Sequence, residues 1–145
     1  APLDLVILAL GTNDTFAEAG RKPQNTVNAM RSLITATRDL PTAPGSSVPN
    51  TSPPKVMIVS PPNCLPLPSV TGEGFPELDD LIRWLPKLAK LYEELAIEQN
   101  TYFADAAKFC EPDPVDGLHL DVENTRKLGI GIAETIALEG FADFC

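Results

Sequence analysis

The 145-residue sequence predicts an α/β fold, in which a parallel β-sheet lies between layers of helices. Two observations support this prediction. Apolar runs of strand length alternate with longer stretches of helical periodicity, which is the pattern of strand–helix–strand crossover units. The apolar runs are also nearly continuous, as in parallel strands that are covered on both faces. Hydrophobic residues make up 43% of the chain, which is enough for a single core without disulfide bonds.

Three segments are the candidate strands. Residues 3–11 form the longest apolar run. Residues 56–60 repeat the pattern and stop at Pro61, which has no backbone N–H to donate to a sheet. Residues 101–105 are a weaker candidate that leads into a loop. Residues 41–54 are rich in Pro, Ser, Thr and Gly and predict a surface loop.

The first of three candidate helices begins at Pro23, a favoured residue for a first helical position, and reaches about residue 40. Its apolar face carries Val27, Met30, Ile34 and Thr37. The third begins after Asp121, whose carboxylate can cap it, and runs over residues 122–139. Its inward-facing residues are Leu128, Ile132 and Ile136.

The second candidate helix covers residues 77–100. Its apolar positions recur every three or four residues, at Leu78, Leu81, Ile82, Leu85, Leu88, Tyr92, Leu95 and Ala96. Pro86 lies inside this pattern. Because proline lacks an N–H and clashes with the preceding turn, we expect Pro86 to kink the helix or to begin a second helical segment.

Charge and cysteine content exclude several classes of function. The formal charge is −9, from 20 acidic and 11 basic residues, and no run of Lys or Arg offers a site for phosphates or anionic lipids. We therefore expect neither nucleic acid nor a membrane as a partner. Three widely spaced cysteines and one histidine fit neither a disulfide framework nor a metal site, so free thiols and no metal or cofactor are expected. The first apolar run is too short for a membrane span and lacks the basic start of a signal peptide.

The tetrapeptide Gly11-Thr12-Asn13-Asp14 closes the first candidate strand. Ligands of open α/β sheets bind beyond the carboxyl ends of the strands, which is where this tetrapeptide falls. The side-chain amide of Asn13 can donate to a developing oxyanion, and Asp14 can rigidify the turn by accepting backbone N–H groups. Taken alone, such a tetrapeptide is more often a simple strand-ending turn.

The second motif is Asp116-Gly117-Leu118-His119, which precedes the third helix. With this spacing in a loop, the carboxylate of Asp116 can fold back onto Nδ1–H of His119 and leave Nε2 free to act as a base. Gly117 permits the tight fold. A single histidine is more often packed or solvated than catalytic, so the motif alone does not decide its role.

The sequence contains no turn of the kind that exposes a nucleophilic serine, neither Gly-x-Ser-x-Gly nor Gly-Asp-Ser. Ser60 ends the second candidate strand without flanking glycines, and we expect it to be structural. Apolar side chains in the irregular residues 63–75 either grip an acyl group or pack against a partner. The candidate substrate-binding residues are Gly11, Thr12, Leu65 and Phe75.

Three segments resemble sequence blocks of the SGNH (GDSL-type) hydrolases. Residues 5–14 resemble the third block, Val59-Ser60-Pro61-Pro62 an intermediate one, and Asp116-Gly117-Leu118-His119 the fifth. The resemblance runs from Pro2 to about Gly140 and is closest to the bacterial arylesterase and acyltransferase (perhydrolase) branch. It implies a flavodoxin-like three-layer sandwich, with residues 1–145 as the carboxyl-terminal part of a single SGNH hydrolase domain.

The resemblance also implies the roles of the site residues. Asn13 would be an oxyanion-hole donor, His119 the general base and Asp116 its orienting partner. The nucleophilic serine of the family and a second oxyanion donor, a glycine N–H, lie on two blocks that precede the strand ending at Gly11. Neither block is in this sequence. We therefore expect the first two strands to be missing from this chain, and a companion N-terminal segment or chain to carry the serine.

The strand order 2-1-3-4-5 of this fold has a consequence for assembly. The strand at residues 3–11 would normally be flanked by the missing first strand, so its edge would be open. An open apolar edge readily pairs with another chain, and we expect a companion polypeptide, a symmetry-related swap or another oligomer instead of a stable monomer. The sequence does not identify the cellular compartment, since any export signal would lie in the missing part, although cytoplasmic is weakly favoured.

The leading hypothesis is a serine esterase or acyltransferase that acts on small acyl or aryl esters through an acyl-enzyme and completes its catalytic triad with the companion's serine. This chain alone is expected to be inactive. One alternative is a non-catalytic truncated module or interaction subunit with the same fold. Another is a flavodoxin-like binding domain, which is disfavoured because no Gly-rich phosphate loop is present.

Overall fold

A computed structural model of the protein describes residues 2–15, 22–41, 47, 49, 52–66 and 76–140. The strands are β1 (Leu5–Ala9), β2 (Lys55–Ser60) and β3 (Tyr102–Asp105). The helices are α1 (Pro23–Arg38), α2 (Pro76–Gln99) and α3 (Val122–Leu138), with short 3-10 turns at Asn13–Thr15 and Ala106–Lys108. Every predicted strand and helix is present, and each end lies within two residues of its expected position.

The three strands form one parallel sheet in the order β1-β2-β3. Ile7 of β1 pairs with Met57 of β2, which pairs with Tyr102 of β3. Because all three strands run in the same direction, the segments that follow them emerge at one edge of the sheet. Both sequence motifs lie in such segments, the first after β1 and the second beyond the turn that follows β3.

Helices cover both faces of the central strand β2. Val56 and Ile58 pack into a core with residues of α1 and α2, whereas Met57 and Val59 pack with residues of α3. This alternation follows from the strand geometry, in which successive side chains point to opposite faces. The expected inward residues of α1 are buried, and those of α3, Leu128, Ile132 and Ile136, pack against the second core. The predicted three-layer α/β sandwich is confirmed.

Helix α2 is continuous through Pro86, so the expectation that a second segment begins there is wrong. Pro86 is exposed, between the buried residues Leu85 and Leu88. The proline ring therefore lies on the solvent side, and the apolar face of the helix packs into the core on either side of it. Tertiary packing outweighs the local cost of a lost backbone hydrogen bond.

Strand β1 is the edge strand of the described sheet. Its residues pair with β2 and with no other strand among the residues that the structure describes. Ile7 is 40% exposed, although its direct partner Met57 is fully buried. The open edge expected for this strand is therefore present in the described structure.

Cys64 and Cys110 are buried free thiols, in agreement with the prediction, and Cys145 lies outside the described residues. None of the described helices is long and apolar enough to cross a membrane. The described side chains include no group of three or more His, Cys, Asp or Glu that could hold a metal ion.

Candidate active site

The motif after β1 forms a tight turn. Gly11 is buried with φ +131°, a conformation that residues with a Cβ rarely adopt, and Asn13 begins a 3-10 turn with its side chain exposed. A Cβ on Gly11 would lie 2.9 Å from Leu88 Cδ2 and 3.0 Å from the Tyr92 hydroxyl of α2. The turn can approach the helix this closely because residue 11 has no side chain.

The motif before α3 brings a carboxylate and an imidazole together. Oδ2 of Asp116 lies 2.7 Å from Nδ1 of His119. The other oxygen, Oδ1, accepts from the backbone N–H groups of Leu118 and His119, both at 2.9 Å. With both carboxylate oxygens engaged, Asp116 holds the imidazole in the tautomer that carries its proton on Nδ1. Nε2 is then the free basic nitrogen, on a side chain that is 79% exposed.

The loop that carries this pair is closed by its own backbone. Asp113 N–H donates to the carbonyl of His119 at 2.7 Å, and Gly117 N–H donates to the carbonyl of Asp113 at the same distance. Gly117 has φ +68°, in the left-handed region where glycine is favoured. The loop therefore needs little outside support to bring Asp116 back onto His119.

The hydrogen bonds lower the pKa of Asp116 to about 2. The Leu118 N–H contributes most, followed by the His119 side chain and the His119 N–H. A carboxylate that accepts several hydrogen bonds is stabilised in its ionised form. Asp116 is therefore a permanent anion near neutral pH, as an orienting partner for a histidine must be.

The segment after β2 contacts both motifs. A Cβ on Gly11 would lie 3.4 Å from Pro61 Cγ, and the backbone N–H of Leu65 donates to the carbonyl of Gly117 at 2.9 Å. Burial raises the pKa of the Cys64 thiol to about 11, and the nearby negative charge of Asp116 contributes to this rise. The two motifs are therefore linked through residues 61–65 at the carboxyl edge of the sheet, as predicted for an α/β site.

The other candidate residues have different surroundings. Thr12 and Leu65 are half-buried, and Phe75 lies outside the described residues. Their binding roles, like that of Gly11, stay predictions. Ser60 is fully buried, and its hydroxyl donates to Asp105 Oδ1 at 3.0 Å, which agrees with the structural role expected for it.

The helical pattern predicted Tyr92 only as a residue of the apolar core, although its hydroxyl contacts the segment that leads to Asn13. The buried Tyr92 donates its hydroxyl to the carbonyl of Leu10 at 3.2 Å. The sequence contained a signal, since a phenol within a buried helical face needs an acceptor. Nothing in the helical pattern identified the acceptor, because Leu10 is 82 residues away.

A comparison with known protein families identifies the family of this chain. The model of the GDSL-like lipase/acylhydrolase family matches residues 1–124. The chain belongs to this family. The resemblance to SGNH (GDSL-type) hydrolases that its motifs predicted is thus confirmed, and the Gly11-Thr12-Asn13-Asp14 and Asp116-Gly117-Leu118-His119 segments both lie within the matched region.

Solved structures agree with the family assignment. The native aryl esterase of M. smegmatis is 35% identical, with a TM-score of 0.78 over 94% of this chain and 61% of that chain. A carbohydrate acetylesterase from Sinorhizobium meliloti is 32% identical, with a TM-score of 0.80 over the same shares of the two chains. The present GDSL-family chain thus spans 61% of the length of these esterases. A comparison with curated proteins gives no match.

Proposed function

We propose that this chain carries the acid–base part of a serine esterase or acyltransferase that acts on small acyl or aryl esters. The observation that supports the proposal most is the 2.7 Å contact between Asp116 Oδ2 and His119 Nδ1, which leaves an exposed Nε2 as the base. An aryl esterase and a carbohydrate acetylesterase among the similar structures favour esters of short acyl groups.

In the proposed reaction, the hydroxyl oxygen of a serine attacks the ester carbonyl while Nε2 of His119 takes the hydroxyl proton. Asp116 stabilises the imidazolium that results. The side-chain amide of Asn13 donates to the oxyanion of the tetrahedral intermediate. Collapse of this intermediate passes the proton to the leaving alcohol, and water or another acceptor then releases the acyl group by the same steps.

We propose that the serine belongs to a segment outside these 145 residues and that these residues form the carboxyl-terminal part of the domain. Among the described residues, the side chain of His119 is paired with the carboxylate of Asp116. The edge of β1 has room for a further strand, because β1 pairs on one side alone in the described sheet. A segment that adds a strand at this edge would bring its carboxyl end, and a serine there, to the edge where Asn13 emerges.

The companion segment is proposed to cover the face of β1 that points toward α3. Ile7 and Ala9 of β1 are exposed there, whereas their partners Met57 and Val59 on β2 are covered. Exposed apolar side chains on the edge strand of a sheet are typical of an interface. The companion would cover these side chains.

The test is to co-express this chain with a polypeptide that carries the serine-bearing and glycine-bearing blocks and their two strands. The purified complex is assayed with p-nitrophenyl acetate. We expect turnover to fall by about 10⁶-fold in His119→Ala, which loses the base, and by about 10⁴-fold in Asp116→Asn, which loses the correct tautomer. In Asn13→Ala we expect a loss of about 10²–10³-fold.

Asp121→Asn is the matched control for the carboxylate variant. Asp121 lies two residues after His119 and caps α3, because its carboxylate accepts from the backbone N–H of Asn124 at 2.6 Å. Asparagine is about as good a cap as aspartate, so this replacement should keep the helix and leave turnover unchanged. A complex that assembles and keeps its turnover in His119→Ala would overturn the proposed function.

The non-catalytic alternative gives a different result in a second experiment. An interaction subunit would not make its companion reactive, so an active-site-directed organophosphate would label neither polypeptide. Recovery of a labelled serine from the companion of this chain would exclude that alternative.

A further inference from the structure

The hydroxyl of Tyr92 joins helix α2 to the turn that carries Asn13. Tyr92 is 1% exposed, and its ring lies in the core formed by β2, α1 and α2. Its hydroxyl donates to the carbonyl of Leu10 at 3.2 Å. Leu10 follows the last β1 residue that pairs with β2, so this hydrogen bond continues to hold the chain after the sheet has ended.

The adjacent residue adds a packing constraint to the hydrogen bond. A Cβ at Gly11 would stand 3.0 Å from the Tyr92 hydroxyl and 2.9 Å from Leu88 Cδ2, so the backbone of the turn rests directly on α2. The hydrogen bond fixes the direction of the Leu10 carbonyl. The contact at Gly11 fixes the distance between the turn and α2. Asn13 begins the 3-10 turn two residues later.

The hydroxyl of Tyr92 stays protonated at neutral and mildly alkaline pH, so it can donate to the Leu10 carbonyl. Burial raises the pKa of Tyr92, and the nearby negative charge of Asp14 raises it further. A raised pKa keeps the phenol neutral as the pH increases. The hydrogen bond to the Leu10 carbonyl is therefore not lost in mildly alkaline solution.

We propose that Tyr92 is a positioning residue that orients the side-chain amide of Asn13 toward the oxyanion through the backbone of Leu10 and Gly11. This inference rests on the proposed esterase function. An oxyanion donor must be held close to its productive position, since a displacement of about 1 Å is enough to cost about 10²-fold in rate. The hydroxyl of Tyr92 provides that restraint from a helix whose apolar face is buried in the core.

The main test is Tyr92→Phe in the assembled complex with its serine-bearing companion. The ring and its packing are kept, and a single hydroxyl is removed. We expect kcat for p-nitrophenyl acetate to fall by about 10-fold with KM nearly unchanged, because the transition state loses more than the bound substrate does. Tyr102→Phe, which removes a hydroxyl at the amino end of β3, is the matched control and should keep the parent kcat.

A double-substitution cycle separates positioning from general stability. If Tyr92 acts through Asn13, Tyr92→Phe has no further effect on kcat once Asn13→Ala is present. A purely structural tyrosine would lower kcat by the same factor in both backgrounds, or lower the melting temperature alone, and either result would overturn the inference. If Tyr92→Phe does not assemble, Tyr92 is replaced by 4-fluorophenylalanine, which fills the space of the hydroxyl but cannot donate a hydrogen bond. An unchanged kcat in that complex would also overturn the inference.

Failure of this inference and failure of the proposed function give different results in these variants. If His119→Ala and Asn13→Ala leave turnover intact, the esterase assignment fails. If both are severely impaired and Tyr92→Phe keeps the parent kcat, the esterase assignment stands and the positioning role of Tyr92 fails.

Discussion

Strands β1 and β2 have similar apolar sequences and very different surroundings. Residues Val56 to Ser60 of β2 are all buried, whereas Ile7 of β1 is 40% exposed opposite the fully buried Met57. The two side chains are partners in the same ladder and point to the same face. The difference between them therefore comes from the layers around the strands and not from the strands. The apolar sequence of β1 predicts a strand that is covered on both faces. Among the described residues, β1 is covered only in part.

The largest expected effect sharpens this comparison through the matched pair Met57→Lys and Ile7→Lys. At the buried position a charge has no partner, and we expect the free energy of unfolding to fall by at least about 4 kcal/mol. At Ile7 the lysine can reach solvent, so the loss should be below about 1 kcal/mol. Urea denaturation followed by circular dichroism measures both. Ile7→Lys should instead weaken assembly with the serine-bearing companion, and equal losses of stability in the two variants would contradict the difference in burial.

A smaller effect is expected at α3, the helix that covers β2 and leaves part of β1 open. A Cβ at Gly131 would lie 2.2 Å from Phe109 Cγ, whereas a Cβ at Gly129 meets nothing within 4 Å. We expect Gly131→Ala to destabilise the protein by about 1–3 kcal/mol through overpacking. Gly129→Ala should stabilise it by about 0.5–1 kcal/mol, since alanine favours the helix. Thermal unfolding of the two variants measures the contrast, and a stabilised Gly131→Ala would contradict the contact with Phe109.

The smallest effect concerns Asp116. Its pKa should be the same whether or not the companion covers the edge of β1. Its pKa of about 2 lies below the unfolded value of about 3.9. Ionised Asp116 therefore stabilises the fold above about pH 4, and this contribution is lost as the pH falls toward 2. We expect the carboxyl ¹³C signal of Asp116 to titrate with the same midpoint in the presence and absence of the companion.

A variant supplies the control for that titration. In His119→Ala the midpoint should rise, because the imidazole no longer donates, but it should stay below the ordinary value since the backbone N–H groups still do. A midpoint in the parent protein near the ordinary value would show that Asp116 does not accept these hydrogen bonds in solution.

The sequence predicted the elements and the Asp116–His119 pair well because both depend on local spacing. Helical periodicity located α1 and α3, and a three-residue spacing around Gly117 was enough to predict that the carboxylate meets the imidazole. Of the two outcomes expected at Pro86, a kink or a second helical segment, the second was wrong because local proline chemistry was weighed without the packing on either side of it.

Contacts between distant segments could not be predicted from spacing. The hydrogen bond from Tyr92 to Leu10 and that from Leu65 to Gly117 join elements whose distance is set by the whole sheet. Both involve backbone carbonyls, which every residue possesses, so no residue type marks the acceptor. The approach of Cys64 to Asp116 is equally invisible in the sequence.

The loop from Asp113 to His119 closes with hydrogen bonds that nearly all begin and end within it. The orientation of its imidazole is thus encoded in seven consecutive residues and requires no contact with β1. If a companion segment supplies the serine as proposed, the base would not have to reorganise, because the entropy of ordering it has already been lost during folding. Union of the two polypeptides would then have to align the companion's hydroxyl and glycine N–H with a base that is already in place.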